Sequence, residues 1–214
     1  MFTGIVQHVG QVVSWQPPVG PRAQRLVIDP RGWVYQPKRG ESICNSGVCL
    51  TVVPGPSASS EPAVDHLHFD VIADTLAKTT LGVWQPGRLI NLEHAVLAST
   101  PMGGHVVQGH VDATAEVVAV ESAAAWRVRV RPPAGLMLAM VPQGAICLDG
   151  VSLTIADLDA QTVTVSLIPE TLSQTTLGGL KVGDFVNVEA DILTKTIVSV
   201  VERVLAAGKL GART

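Results

Sequence analysis

The sequence predicts an all-β fold of two tandem, similar, closed antiparallel six-stranded β-barrels followed by a C-terminal α-helix, and three observations carry that expectation. The stretch Gly47-Val48-Cys49-Leu50-Thr51-Val52 returns 103 residues later as Gly150-Val151-Ser152-Leu153-Thr154-Ile155, so one half of the chain copies the other. Apolar and polar residues alternate with period two in both halves, as strands require. After Asp191 the apolar spacing changes to steps of 4, 3 and 4 at Leu193, Ile197, Val200 and Val204, which is helical.

The repeat extends along the whole chain. Gly4-Ile5-Val6 pairs with Gly109-His110-Val111, Thr75–Gly82 with Thr171–Gly178, and Pro86–Glu93 with Val182–Glu189, in one order. Two domains of about 100 residues follow, near the usual domain size; their expected bounds are 1–98 and 99–190, with the helix and tail over 191–214. The first copy carries extra length in Pro54–Pro62, whose Pro, Gly and Ser content reads as an exposed turn. Each half holds about six short strands between Gly and Pro signals, and closing them into a barrel removes exposed edges. Trp126-Arg127-Val128-Arg129-Val130-Arg131 is the clearest, with apolar and cationic side chains on opposite faces. Thr162–Leu167 alternates in the same way. The terminal helix packs its apolar stripe either on its own barrel or against copies of itself, and Gly208 is its expected stop.

Composition narrows the function. Hydrophobic residues are 47%, charged residues 15% and the net charge −3, which argues against disorder and against a basic nucleic-acid surface. No leader-like basic and apolar pair opens the chain and no apolar run is long enough to span a bilayer, so a cytoplasmic protein is expected. Three cysteines without a CxxC spacing suit a reducing compartment, and the repeat mates Cys44 and Cys147 read as buried strand residues.

Several motifs are set aside. Gly104–Gly109 has the glycine spacing of a phosphate-binding loop, but His110 and Val111 stand where Lys and Ser or Thr would be needed. His66, His68 and Asp70 share a strand face that reads as a polar exterior rather than a metal site. His105 and His110 are expected to point to opposite faces. Arg127, Arg129 and Arg131 read as a solvated or intersubunit stripe.

Met1–Val6, Gly47–Val52, Gly103–Val111, Asp149–Thr154 and Ile168–Leu172 together make the chain resemble riboflavin synthase of the alpha-subunit type over nearly its full length. The resemblance implies two lumazine-binding barrels and a homotrimer whose active site forms between the N-terminal barrel of one subunit and the C-terminal barrel of its neighbour. It also implies the reaction, in which two molecules of 6,7-dimethyl-8-ribityllumazine exchange a four-carbon unit to give riboflavin and 5-amino-6-ribitylaminouracil, without cofactor or metal. Lumazine synthase is an expected partner; nucleic acid and membrane are not.

Carried over residue by residue, the family's ligand contacts fall on Gly4, Ile5, Val6, Cys49, Leu50, Thr51, Asp70, Val71, Ile72, Ala73, Asp74 and Thr75, assigned to the first barrel. The second barrel is assigned Gly109, His110, Val111, Gln143, Ser152, Leu153, Thr154, Leu167, Ile168, Pro169, Glu170, Thr171 and Leu172. Two identical substrates in unequal roles need two similar pockets with different chemistry, and the copies differ accordingly: Cys49 matches Ser152, and Ile5 matches His110. His110, Cys49, Ser152 and Thr154 are the candidate catalytic residues, His110 as proton acceptor and the thiol and hydroxyls as hydrogen-bond donors to the ring. The chain departs from the family pattern at Ser46 (usually Asn), Asp74 (usually Glu), Gln143 (usually Lys) and Ala139 (often aromatic). The alternative reading is a non-catalytic lumazine- or flavin-binding protein on the same duplicated barrel.

Overall fold

The computed structural model describes residues 1–16, 23–55, 66–123 and 125–207. The first half contains β1 (His8–Gln16), β2 (Ala23–Asp29), β3 (Ser42–Asn45), β4 (Val48–Val53), β5 (Leu67–Ile72), α1 (Ala73–Lys78) and β6 (Leu89–His94). The second contains β7 (Ala113–Glu121), β8 (Trp126–Arg131), α2 (Ala134–Met137), β9 (Ala145–Leu148), β10 (Val151–Leu158), β11 (Val163–Leu167), α3 (Pro169–Gln174) and β12 (Phe185–Ala190), and α4 (Ile192–Ala206) follows. Each set of six strands closes into a barrel, in the order β1-β2-β5-β4-β3-β6 and, equivalently, β7-β8-β11-β10-β9-β12. The twin six-stranded barrels and terminal helix expected from the repeat are thus present, and even irregularities are copied: β1 and β7 shift register between Val12 and Ser14 and between Val117 and Ala119.

Alternation places the cores. Leu26, Ile28, Ile43, Phe69, Ile90 and Leu92 fill the first barrel, and Val117, Val130, Ile146, Val163, Val186 and Val188 the second, all fully buried. In β8, Val128 and Val130 point inward while Arg129 donates to Thr164 Oγ1 and Arg131 pairs with Glu116, so the arginine stripe is the polar exterior. The six-residue helices α1 and α3 were not expected from the alternation; they are too short to show a helical apolar stripe.

The barrels meet across a local two-fold. Repeat mates Phe2 and Val107 pair backbone to backbone, at 2.7 and 3.1 Å, and bury with Cys44 and Cys147. As expected, both cysteines are buried, and burial raises their thiols well above the ordinary range, which keeps them unreactive. Gly47 and Gly150, both at positive φ, meet so closely that a Cβ on Gly150 would lie 2.8 Å from Gly47 N.

Helix α4 starts at an Asp191 cap that accepts from Leu193 N at 2.8 Å, and Lys195 ties it to Asp112. Its stripe does not pack on its own barrel: α4 buries no residue, and Leu193, Ile197, Val200, Val201 and Leu205 are all exposed. Gly208, the expected stop, lies outside the described residues, as does most of the Pro54–Pro62 turn. No helix among the described residues is long and apolar enough to cross a membrane.

Candidate active site

Two similar candidate sites lie on strand exteriors. In β4, Val48, Leu50 and Val52 face the core, so Cys49 and Thr51 point outward; in β10, Leu153 faces inward, so Ser152 and Thr154 point outward. Continued by one residue past the Val52–Phe69 and Ile155–Val165 pairs, the registers place Asp70 opposite Thr51 and Ser166 opposite Thr154. Leu50, Leu153, Val71 and Leu167 are core residues and have only main-chain atoms to offer a ligand. Each strand then runs through an exposed isoleucine, Ile72 or Ile168, into α1 or α3, with Asp74 or Glu170 in the first helical turn. Pro169 opens α3, where its missing N–H costs nothing, and Ala73, Thr75, Thr171 and Leu172 continue the two short helices. Thr79 and Thr175 close the helices by donating to the carbonyls of Thr75 and Thr171.

The segments that complete these sites are crossed relative to the sequence expectation. Ser152 N donates to Gly4 O at 2.8 Å, and Val6 packs against the second core. Cys49 N donates to Gly109 O at 2.9 Å, and Val111 packs against the first core. Gly4-Ile5-Val6 therefore completes the site of the second barrel and Gly109-His110-Val111 that of the first. The cause is the Phe2–Val107 pairing on the two-fold, which directs each leading segment onto the opposite barrel. Glycine is required at both crossings. Gly4 and Gly109 have φ of +74° and +76°, and a Cβ on either would lie 2.6 Å from the Cβ of Ser152 or Cys49.

A buried carboxylate anchors each segment from its own barrel. Glu93 accepts from Thr3 N, Thr3 Oγ1 and Gly4 N, and Glu189 accepts from Gln108 N, Gly109 N and His110 N, at 2.7 to 3.0 Å. Burial raises both carboxyls, and the donated hydrogen bonds oppose that rise.

His105, which the sequence reading does not assign to the candidate site, lies against Ser152. Its Nδ1 lies 2.6 Å from Ser152 Oγ, its Nε2 is buried without a partner among the described residues, and burial lowers its pKa against the opposing pull of Asp191. A neutral imidazole against a hydroxyl can take that hydroxyl's proton. The contact spans 47 residues, and no local spacing announces it. His110 is exposed, held by its main-chain N–H, and stands on the Cys49 side. Asp70 is engaged by Arg25 through two hydrogen bonds at 2.8 and 3.1 Å. No group of three metal-ligating side chains comes together among the described residues.

The lumazine binding domain family matches the chain twice, over residues 3–95 and 108–191. Riboflavin synthase of Mycobacterium tuberculosis is 41% identical over 201 residues, covering 92% of this chain and 96% of that protein. Riboflavin synthase of Escherichia coli is 37% identical over 211 residues, covering 97% and 94%. The chain belongs to the riboflavin synthase family. Among solved structures, LumP complexed with riboflavin superposes with a TM-score of 0.76 at 26% identity, over 89% of this chain and 99% of that one. LumP complexed with flavin mononucleotide gives 0.72 at 27%, with the same coverage.

The chain's departures from the riboflavin synthase pattern have physical readings. Ser46 and its mate Asp149 both lie at left-handed φ, +43° and +44°, a conformation in which Asn and Asp sit more easily than Ser. Gln143, where Lys is expected, is exposed at φ +62°, with its N–H donated to the carbonyl of Ile155 in β10. Ala139 packs in the core of the second barrel. Asp74 keeps a carboxylate at the start of α1, where the helix dipole favours it.

Proposed function

We propose that the protein is a riboflavin synthase that dismutates two molecules of 6,7-dimethyl-8-ribityllumazine into riboflavin and 5-amino-6-ribitylaminouracil, using no cofactor. The observation that carries this reading is the pair of like but unequal outward strand faces, Cys49 with Thr51 and Ser152 with Thr154, each completed by a glycine segment from the other half. One binding pocket gives no reason for two such faces; a reaction between two copies of one substrate does.

The chemistry asked of the protein is modest. The C7 methyl of the lumazine is acidic because its carbanion delocalises into the ring, so orientation and proton movement supply most of the rate. On the second barrel, Ser152 backed by neutral His105 can relay a proton. On the first, Cys49 and the adjacent His110 provide a thiol and an imidazole. Main-chain groups at Gly4, Leu50, Gly109 and Leu153 suit the donor and acceptor edge of a pyrimidinedione.

Both faces are open to water in the single chain, since Thr51, Thr154, Ile72 and Ile168 are exposed. The reading therefore includes a homotrimer that brings the N-terminal barrel of one subunit against the C-terminal barrel of the next, with the exposed stripe of α4 as its contact. A cytoplasmic location and association with lumazine synthase, which would supply the substrate, belong to the same reading.

The likeness to LumP favours a second reading, a lumazine or flavin binder without turnover. Incubation with 6,7-dimethyl-8-ribityllumazine in the presence of chelator separates the two. Equimolar riboflavin and pyrimidine establish the synthase. Saturable binding with no product establishes the binder.

A further inference from the structure

The two barrels differ at a place unrelated to the lumazine faces. In the first barrel the turn after α1 ends in Trp84, whose indole is fully buried and donates its Nε1–H to Thr80 Oγ1 at 3.1 Å, with the Arg88 guanidinium 5.8 Å from the ring centre. The backbone is the same in the second barrel: Trp84 N donates to Leu81 O, and Leu180 N donates to Leu177 O. Leu180 replaces the tryptophan there, and Gly179 replaces Val83. The side chains that would fill the space are smaller, and a cavity of about 380 Å³ opens at the junction of the barrels. That volume falls in the range of small-molecule sites, roughly 300 to 1,000 Å³.

The cavity is bounded by counterparts of the groups that hold the indole in the first barrel, Thr176 for Thr80, Asp184 for Arg88 and Leu180 for Trp84 itself, and Arg88 reaches its wall from the first barrel. Thr80 Oγ1 has the indole N–H as its donor, whereas no hydrogen bond engages Thr176 Oγ1 among the described residues. Asp149 lines the same cavity while only 3% exposed. One of its carboxyl oxygens accepts from Asn187 N at 2.8 Å, and the other has no partner among the described residues. Leu89 and Phe185, themselves repeat mates, supply apolar walls. Two oxygens without a protein donor among the described residues thus face a cleft that is open to water and has apolar walls.

We propose that this cavity binds a small planar heteroaromatic molecule with a ring N–H donor, of about indole size, which occupies the second barrel as Trp84 occupies the first and donates to Thr176 Oγ1. A second polar atom on the ligand reaches the free oxygen of Asp149. This site is separate from the lumazine faces and does not rest on the proposed reaction.

The test uses indole as probe, titrated into the intact protein by calorimetry and by amide chemical shifts, with 1-methylindole as the analogue that lacks the donor. Indole is expected to bind once per chain and to shift Thr176, Gly179 and Asp149, with 1-methylindole roughly three- to tenfold weaker, as for one lost hydrogen bond. Thr176→Val, which keeps the main-chain contact of Thr176 N with Asn91, is expected to abolish that discrimination. Leu180→Trp restores the first-barrel arrangement and is expected to abolish binding of both probes. Should that variant not fold, Leu180→Phe fills part of the same space. Binding of indole that survives the filling variant lies elsewhere and overturns the proposal, as does absence of binding at millimolar indole.

Discussion

Asn91 and Asn187 clasp the barrels to each other through reciprocal contacts. Asn91 Nδ2 donates to Asp149 O and Asn187 Nδ2 donates to Ser46 O, both at 2.8 Å, while their Oδ1 atoms accept from Thr176 N and Thr80 N of the opposite half. Both side chains are about 1% exposed, so no water substitutes for a lost partner.

Replacing Asn187 by Ala removes two cross-barrel bonds and leaves Ser46 O and Thr80 N without them. The expected cost is about 2–4 kcal/mol, read as a lower midpoint in urea unfolding. Asn91→Ala is expected to cost a similar amount, because its contacts are equivalent. If either variant were as stable as the parent, the clasp would not be holding the junction.

Gly109→Ala tests the crossing. The new Cβ would overlap Cys49 and the residue would be held at φ +76°. Stability is expected to fall by at least 1–3 kcal/mol, and ligand binding at the first barrel to fall with it. Gly4→Ala is expected to harm the second barrel instead. Fluorescence titration with 6,7-dimethyl-8-ribityllumazine, compared between the two variants, distinguishes the crossed arrangement from an uncrossed one.

Ser152→Ala and His105→Gln address the proton relay. Each is expected to lower kcat by about 10²-fold with little change in KM, and the double variant to be no worse than either single one, because the two groups act together. Additive losses would show independent roles. The same measurement on His110→Gln across pH tests His110 as base; an unchanged profile removes it from proton transfer.

Asp149 predicts a pH dependence of stability. Burial pushes its carboxyl from an ordinary 3.8 up to about 7, with the Asn187 N–H and then Arg88 opposing and Asp184 reinforcing the rise. The folded state therefore holds this proton more tightly than the unfolded chain does, so the contribution is full below about pH 4 and is lost as pH rises through 7. About three units correspond to up to about 4 kcal/mol. Asp149→Asn keeps an acceptor for Asn187 N and is expected to flatten the fall between pH 4 and 7, measured by denaturant melts at each pH. Glu93 and Glu189, also raised by burial, slope the same way and remain in both proteins.

The fold was legible because a barrel is written as alternating residues, and a duplicated barrel writes that pattern twice. The polar pairs of β4 and β10 were legible for the same reason, since residues two apart share a strand face. The crossing was not. Gly4 and Gly109 are matched blocks, and nothing in their spacing says which barrel each will touch; the Phe2–Val107 pairing decides it through space. His105 escaped for a related reason, being five residues from His110 yet bonded to a strand far along the chain. The helices α1 and α3 are six residues long, too short to leave a periodic signature.

The exchange of leading segments sets where the chain tolerates cutting. A break in the connection between Ala95 and Gly104 leaves each fragment with its own arm and its own glutamate anchor, and the two pieces are expected to reassemble through Phe2 and Val107. A break after Gln7, far smaller in residues lost, removes the arm that the second barrel depends on. The start of this polypeptide is, in three dimensions, part of its C-terminal half.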